Sequence, residues 1–379
     1  MLSIKYYKKV FCTVCIGFFA IEASLFAEDQ SFEDVNSSSS SDFKIMPNVS
    51  SNPTSGTGAG VIGTLIYQVD KDSSPSQAII AAQYTTTDAY NIFAMNNIYF
   101  KNNKYHSITG GGYIFNNASL DLPVGIPSFS SDDAEMEVNI FVLFQQLFVR
   151  VSDDMYLGGQ VFYIDQKVKA NNENGEIFMD EFGIEDSQRT ALGILAEYDT
   201  RLKSEKIYPR DAEHISFAFN YFPKALGSDK NFYNANLNAR NYMRGFKADD
   251  VLAIQFYMKY CSEETPDGAL ATLGSSNVLR GFPLGQYKAR LLTALQTEYR
   301  YQITDTKYRL TAFAGAANLS LGSEGTTTGN RDSNNGNFYS GGVGVHYILQ
   351  EKVGVDYRVD LAYSSDNEIS VYATINQAF

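Results

Sequence analysis

Apolar and polar residues alternate with a period of two over much of the chain. From Ile369 the odd positions are Ile369, Val371, Ala373, Ile375, Gln377 and Phe379, and the even ones are Ser370, Tyr372, Thr374, Asn376 and Ala378. Upstream, Val353, Val355, Tyr357, Val359, Leu361 and Tyr363 make one face, opposite Gly354, Asp356, Arg358, Asp360 and Ala362. Over 287–303 the odd positions from Tyr287 to Ile303 are apolar, Thr or Tyr, while the even ones include Lys288, Arg290, Glu298 and Arg300. A period of two describes a strand with two unlike faces. These runs are long for soluble strands, which average ~5–6 residues. They match the ~9–11 residues with which a strand crosses a membrane. In an outer-membrane barrel the apolar face meets lipid and the charged face lines the interior.

Turn-rich stretches such as Asp72-Ser73-Ser74-Pro75, Lys101-Asn102-Asn103 and Asn334-Asn335-Gly336-Asn337 divide the pattern. The strands so delimited lie near 43–51, 58–69, 77–87, 89–101, 104–118, 137–151, 155–168 and 190–201. They continue near 212–223, 231–242, 250–261, 287–303, 307–319, 338–350, 352–364 and 368–379. Sixteen is an even number, as single-chain bacterial barrels require. The expected fold is all-β, a transmembrane antiparallel β-barrel over 43–379. One segment departs from strict alternation: Ile140 to Phe144 is continuously apolar, which predicts packing on both of its faces.

The first 27 residues have a different character. Lys5, Lys8 and Lys9 precede an apolar stretch from Val10 to Ala20, and Leu25-Phe26-Ala27 ends on a small residue. That is the layout of a secretory signal peptide. Residues 28–42 are polar, include the serines 37–41, and read as a flexible tether. Cys12 and Cys15 belong to the leader, so Cys261 alone is left in an exported chain and no intramolecular disulfide can form.

Composition sharpens this picture. The chain carries 43 acidic and 30 basic residues, a formal net charge of −13, which argues against a nucleic-acid partner. Mean hydropathy is −0.22, and beyond the leader no apolar run approaches the ~18 residues of a membrane helix. A β-barrel is compatible with both values, because alternating strands average out to a polar hydropathy.

Motifs of soluble enzymes fail on context. Gly58-Ala59-Gly60-Val61-Ile62-Gly63 matches a dinucleotide fingerprint, but Thr64 to Val69 continues as a strand where a helix would be needed. His106, His214 and His346 fall on three separate strands, so no metal site is expected. Arg358 and Asp360 share one interior face and suit an interior ion network better than a catalytic pair. No catalytic residue and no cofactor are expected, and the chain is not read as an enzyme.

Residues 279–302 read Leu-Arg-Gly-Phe-Pro-Leu-Gly-Gln-Tyr-Lys-Ala-Arg-Leu-Leu-Thr-Ala-Leu-Gln-Thr-Glu-Tyr-Arg-Tyr-Gln. This segment resembles the bacterial surface antigen family, the sixteen-stranded barrel of outer-membrane assembly factors and two-partner secretion transporters. The shared pattern is an Arg-Gly-Phe/Tyr tip on a long loop, here Leu279, Arg280, Gly281 and Phe282, before a strand with an inward Glu298. Tyr198-Asp199-Thr200-Arg201 and Tyr208-Pro209-Arg210 are similar to a further family segment, and the terminal Phe379 to its barrel-insertion signal. Met243-Arg244-Gly245-Phe246 repeats the tripeptide in a short turn and is read as a decoy.

The resemblance implies that the loop folds into the lumen, where Arg280 meets Glu298 and Phe313. It departs from the family at Gly315 and Ala317, where members commonly carry Asp and Gly. The loss of that Asp implies that Glu298 is the main anionic partner of Arg280. No counterpart of the family's periplasmic POTRA modules is seen before the barrel, so a barrel-only member is expected. The implied function is translocation or insertion of protein or lipid at the outer membrane of a Gram-negative bacterium. The alternatives are a passive pore for small solutes and a structural surface antigen. Expected partners are outer-membrane lipid and lipopolysaccharide, the barrel-assembly machinery during insertion, and a periplasmic or secreted protein.

Overall fold

The computed structural model describes residues 42–52, 56–120, 134–182, 185–201, 208–275, 277–282, 287–320, 336–350, 355–375 and 377–379. The expected leader and tether lie outside these residues, apart from Asp42, where the first strand begins. The first half of the barrel is built from β1 (Asp42–Asn52), β2 (Gly56–Tyr67), β3 (Ser76–Thr85), β4 (Tyr90–Phe100), β5 (Tyr105–Leu120), β6 (Ala134–Ser152), β7 (Met155–Ala170) and β8 (Ser187–Asp199). The second half contains β9 (Ala212–Phe222), β10 (Phe232–Arg244) and β11 (Val251–Cys261). Two short strands follow, β12 (Ala271–Thr272) and β13 (Lys288–Ala289). The series ends with β14 (Leu291–Gln302), β15 (Tyr308–Ser320), β16 (Gly336–Gln350), β17 (Val355–Ser364) and β18 (Ile369–Ile375).

All strands except β12 and β13 pair antiparallel with their sequence neighbours, and β1 meets β18 to close a sixteen-stranded barrel. Closure leaves no strand edge facing lipid, where each unpaired backbone group would cost several kcal/mol. No helix among the described residues is long and apolar enough to cross a membrane. Among the described residues one α-helix, α1 (Glu173–Phe182), sits over the ends of β6 and β7.

The period-two faces settle as lipid outside and lumen inside. On β17 Val359, Leu361 and Tyr363 are exposed, while Asp356, Arg358 and Asp360 are buried. Outward tyrosines collect at both ends: Tyr84, Tyr90 and Tyr363 at one, Tyr198, Tyr308 and Tyr347 at the other. Such girdles mark the two interfaces of a membrane barrel. The end with Tyr198 carries short turns such as 153–154 and 245–250, and the other carries long connections such as 171–186 and 262–290. By the usual asymmetry of these barrels, the short-turn end faces the periplasm.

The continuous apolar run on β6 is apolar on both faces but packs against the chain on its inner face only. Phe141 and Leu143 point to lipid, while Ile140, Val142 and Phe144 enter a lumenal cluster with Met95, Ile108 and Ile164. The opposite wall is charged, and there the long loop is held.

Two boundaries differ from the pattern reading. The strand expected over 287–303 starts at Leu291, because Lys288 and Ala289 form β13 against β12 within the loop. Tyr287 and Ala289 are therefore buried in the lumen rather than facing lipid. The strand expected over 368–379 stops at Ile375, and Phe379 turns inward.

Candidate functional site

The described residues of the connection 262–290 between β11 and β14 lie in the lumen. Apolar burial brings it there: Leu270, Leu273, Val278, Leu279, Phe282 and Tyr287 pack in one cluster with wall residues that include Leu292, Leu319 and Phe338. Phe282 meets Tyr287 and Phe338 edge-on, at 6.1 and 5.7 Å between ring centres. The tip is a sharp bend, with Leu279 at φ 51° and Gly281 at φ 110°. Glycine adopts that conformation without steric penalty. At Gly281 a Cβ would also lie 3.3 Å from Ser364 Cβ, 3.4 Å from Ser340 Cβ and 3.6 Å from Ala362 Cβ.

The backbone of the tip is bonded to the wall. Leu279 N–H donates to Gln296 Oε1 at 3.0 Å, and Gly281 N–H donates to the Tyr372 hydroxyl oxygen at 2.8 Å. The Tyr372 hydroxyl donates in turn to the Phe282 carbonyl at 3.3 Å. Gln296 also donates to Asn277 O at 2.6 Å. Gly315 stands beside this contact: a Cβ there would lie 2.8 Å from both Leu279 Cδ1 and Gln296 Cβ. A side chain in place of Gly315 would collide with the seated tip.

At the centre lies Arg280, 2% exposed. Its Nη2 donates to Glu298 Oε2 at 2.5 Å and its Nη1 to Asp360 Oδ2 at 2.6 Å. The guanidinium carbon is 3.5 Å from the centre of the Phe313 ring, a cation–π contact. The planar fork of Arg suits two carboxylates at once. Both carboxylates serve a second cation: Glu298 Oε1 accepts from Arg300 Nε at 2.8 Å, and Asp360 Oδ2 accepts from Arg358 Nη1 at 2.8 Å. His346 links onward, with ring nitrogens 3.5 Å from Asp356 Oδ2 and 3.5 Å from Asp360 Oδ1.

The ion cluster extends toward the short-turn end. Arg300 Nη2 donates to the backbone oxygen of Phe379 at 2.5 Å. Phe379 packs with Tyr208, Ala212, Tyr242, Val251 and Ala253. Tyr208 lies under Arg309, 3.8 Å from guanidinium carbon to ring centre, and Arg309 bonds Asp356. Burial pushes the Tyr208 phenol up, against the pull of Arg309 and Arg300.

The residues singled out from the sequence thus fall into one constellation. Leu279, Arg280, Gly281 and Phe282 form the seated tip, and Glu298 and Phe313 flank the guanidinium. Arg358 and Asp360 do not make a separate network, because Asp360 is the second carboxylate of Arg280. Glu298 is accordingly one of two anionic partners rather than the main one. Phe379 reaches the same network through Arg300 and does not extend the lipid-facing strand.

Sequence reasoning missed Tyr372, Gln296, Arg309, Asp356 and His346 as members. Their inward parity was visible in the alternation, but their height on the barrel was not. It also missed a second cluster at the short-turn end. Glu197, Asp199 and His214 bring their ligand atoms within 4.8 Å of one another. Those groups are already engaged, His214 Nε2 in a hydrogen bond with Glu197 Oε1 at 3.0 Å and Arg201 Nε in an ion pair with Asp199 Oδ1 at 2.8 Å. The Asp-x-Arg of the sequence is therefore a local salt bridge at the base of the barrel.

Known structures share this architecture. The barrel resembles BamA from Haemophilus ducreyi lacking POTRA domains 1-3, with TM-score 0.58 and 12% identity over 89% of this chain and 70% of that one. It also resembles CdiB from Escherichia coli, with TM-score 0.64 and 10% identity over 88% of this chain and 62% of that one. CdiB from Acinetobacter baumannii gives TM-score 0.57 and 10% identity over 89% of this chain and 65% of that one. The chain thus spans about two thirds of the length of these proteins. No curated protein sequence matches it significantly. The family model for the Omp85 superfamily domain matches residues 97–350, well over half of the chain. This is an outer-membrane β-barrel, and the chain belongs to the Omp85 superfamily.

Proposed function

We propose that the barrel translocates or inserts protein or lipid at the outer membrane, and that the client engages its wall rather than flowing through an open lumen. The observation that carries this reading is the seam. Among the described residues β1 is in register with β2 from Asp42↔Ile66 to Asn52↔Gly56, whereas its register with β18 is Ser51↔Ala373. The neighbouring β17–β18 ladder runs from Tyr357↔Ile375 to Tyr363↔Ile369. β1 and β18 are the first and last strands of the series and are not joined as a hairpin, so backbone groups at their junction can exchange partners without straining a turn. The pinned loop supports the same reading, because it occupies the lumen that a solute would need.

Ser51 and Ala373 are Cα partners, so cysteines at both positions can lock the seam. A photo-crosslinking residue at Val371, on the lipid face of β18, should capture a protein or lipid client in intact envelopes. Oxidising a Ser51→Cys/Ala373→Cys variant should abolish that capture, and reduction should restore it. Capture indifferent to the lock, or a large steady single-channel current from the purified protein, would rule this reading out in favour of a passive pore.

A further inference from the structure

The lipid face of the barrel carries a row of polar side chains, two of them carboxamides, across β4, β5 and β6. Asn96 stands opposite Thr109, and Thr109 opposite Gln145, so the three share one level of the sheet. All three have outward parity, and Thr109 and Gln145 are exposed. Their depth is set by the aromatic girdles. Thr109 is four residues from outward Tyr105 at the short-turn end and four from outward Tyr113 toward the other, about 13 Å along the strand each way. The row therefore lies near the middle of the hydrocarbon layer.

Part of the row is bonded within the chain. Gln145 Nε2 donates to Ser107 Oγ at 2.9 Å and to the Gln146 carbonyl at 2.7 Å, and Gln145 Oε1 accepts from the Thr109 hydroxyl. Asn96 Oδ1 accepts from the Tyr67 hydroxyl at 2.7 Å. Two things are left over. A carboxamide oxygen has two lone pairs, and Gln145 Oε1 uses one of them here. The two Nδ2 hydrogens of Asn96 find no acceptor among the described residues. An acyl chain offers no hydrogen bond, and polar groups facing hydrocarbon are costly.

We infer that this row is the contact face of a two-fold dimer of the chain within the membrane. The row carries surplus donors at its Asn96 end and a surplus acceptor at its Gln145 end. A two-fold axis through Thr109 sets the donor end of one copy beside the acceptor end of the other. An isologous interface has that reciprocity, residue i meeting j and j meeting i. Ala94 and Gly111 flank the row on the same face and keep it low, so two walls can approach closely enough for these side chains to bond. Lipid headgroups cannot reach this depth.

The test uses the full chain in its own membrane. Thr109→Cys places one thiol at the centre of the row, while the native Cys261 is buried. Mild oxidation of envelopes should give a disulfide-linked species of twice the mass, with Leu361→Cys on a distant lipid-facing strand giving none. Adding Asn96→Leu and Gln145→Leu, both tolerable toward lipid, should lower that crosslinking by roughly tenfold or more, the weight of one or two membrane hydrogen bonds. Heat-modifiable gel mobility confirms that each variant is folded. Thr109→Cys crosslinking no better than Leu361→Cys, or a crosslinked product containing a different protein, would overturn the dimer. Should the triple variant fail to fold, the comparison of the two single-cysteine chains still decides.

Discussion

The tripeptide Arg-Gly-Phe occurs twice in this chain and meets opposite fates. At 280–282 it lies inside the barrel: Arg280 joins two buried carboxylates, Gly281 takes φ 110°, and Phe282 is 1% exposed. At 244–246 it caps a short turn between β10 and β11. There the Arg244 side chain is 67% exposed beside Asp211, and Phe246 is 97% exposed. The tripeptide therefore does not determine its own environment. What differs is reach and reception. The turn 245–250 is too short to leave the rim, whereas 262–290 carries its own apolar cluster into the lumen and finds Glu298, Asp360 and Phe313 waiting.

The largest test of this contrast is to remove each arginine. Arg280→Ala leaves the buried Glu298 and Asp360 with one cation fewer. Breaking such a buried pair costs on the order of 3–5 kcal/mol. Arg244→Ala removes an exposed pair and should change stability by less than about 0.5 kcal/mol. Urea unfolding followed by heat-modifiable gel mobility reads both. Because Asp360 shares Arg280 with Glu298, Arg280→Ala should be worse than Glu298→Ala, which still leaves the guanidinium one carboxylate. In a double-mutant cycle, Arg280→Ala with Asp360→Ala should cost less than the sum of the two single changes. Additive losses would mean that the carboxylates do not depend on the loop.

Next in size is the bend. Gly281→Ala puts a side chain at positive φ and against Ser364, Ser340 and Ala362. A strained backbone position of this kind costs about 1–3 kcal/mol. The loss should be accompanied by easier protease cleavage within 262–290, since the tip must leave its seat to relieve the strain. A variant as resistant as the native chain would show that the loop is held elsewhere.

Much of this was legible in the pattern alone. The inward parity of Glu298, Arg300, Asp356, Arg358 and Asp360 follows from alternation, because a pleated strand leaves no freedom about faces. The Ile140–Phe144 run announced a wall apolar on both sides, although only its inner side packs against the chain. Height was not legible. Arg280 meets Asp360 across eighty residues of chain, and that meeting depends on strand stagger, which the period does not encode. Tyr287 and Ala289 continued the alternation of β14 in sequence, yet they pair within the loop, where burial against Phe338 and Leu319 outweighs extension of the ladder. Phe379 likewise fits the apolar face by parity, but its backbone oxygen is drawn in by Arg300.

A smaller effect isolates the backbone bonds of the seated tip. Tyr372→Phe deletes the hydroxyl that accepts from Gly281 N–H and donates to the Phe282 carbonyl, and it changes little else. Losing a buried hydrogen-bond partner costs about 1–3 kcal/mol. The effect should vanish in the Arg280→Ala background if that change already unseats the tip. If it persists at full size, the backbone bonds hold the loop without the ion cluster, and the role given to Arg280 shrinks.

The smallest expected effect is at the turn. Phe246 contributes its backbone there: its N–H donates to the Tyr299 hydroxyl at 3.0 Å, and that hydroxyl donates to Asp250 Oδ2 at 2.6 Å. The Phe246 ring lies 5.7 Å from the Tyr299 ring and is otherwise open. Phe246→Ser keeps the N–H and should shift stability by less than about 0.5 kcal/mol. Tyr299→Phe removes both bonds of the hydroxyl and should cost more, about 1 kcal/mol. That ordering inverts the one inside the barrel, where Phe282→Ala should cost about 3–5 kcal/mol by emptying a packed site. If Phe246→Ser proved as damaging as Phe282→Ala, the exposed tripeptide would also be seated against something in the intact envelope, and the contrast between the two copies would fail.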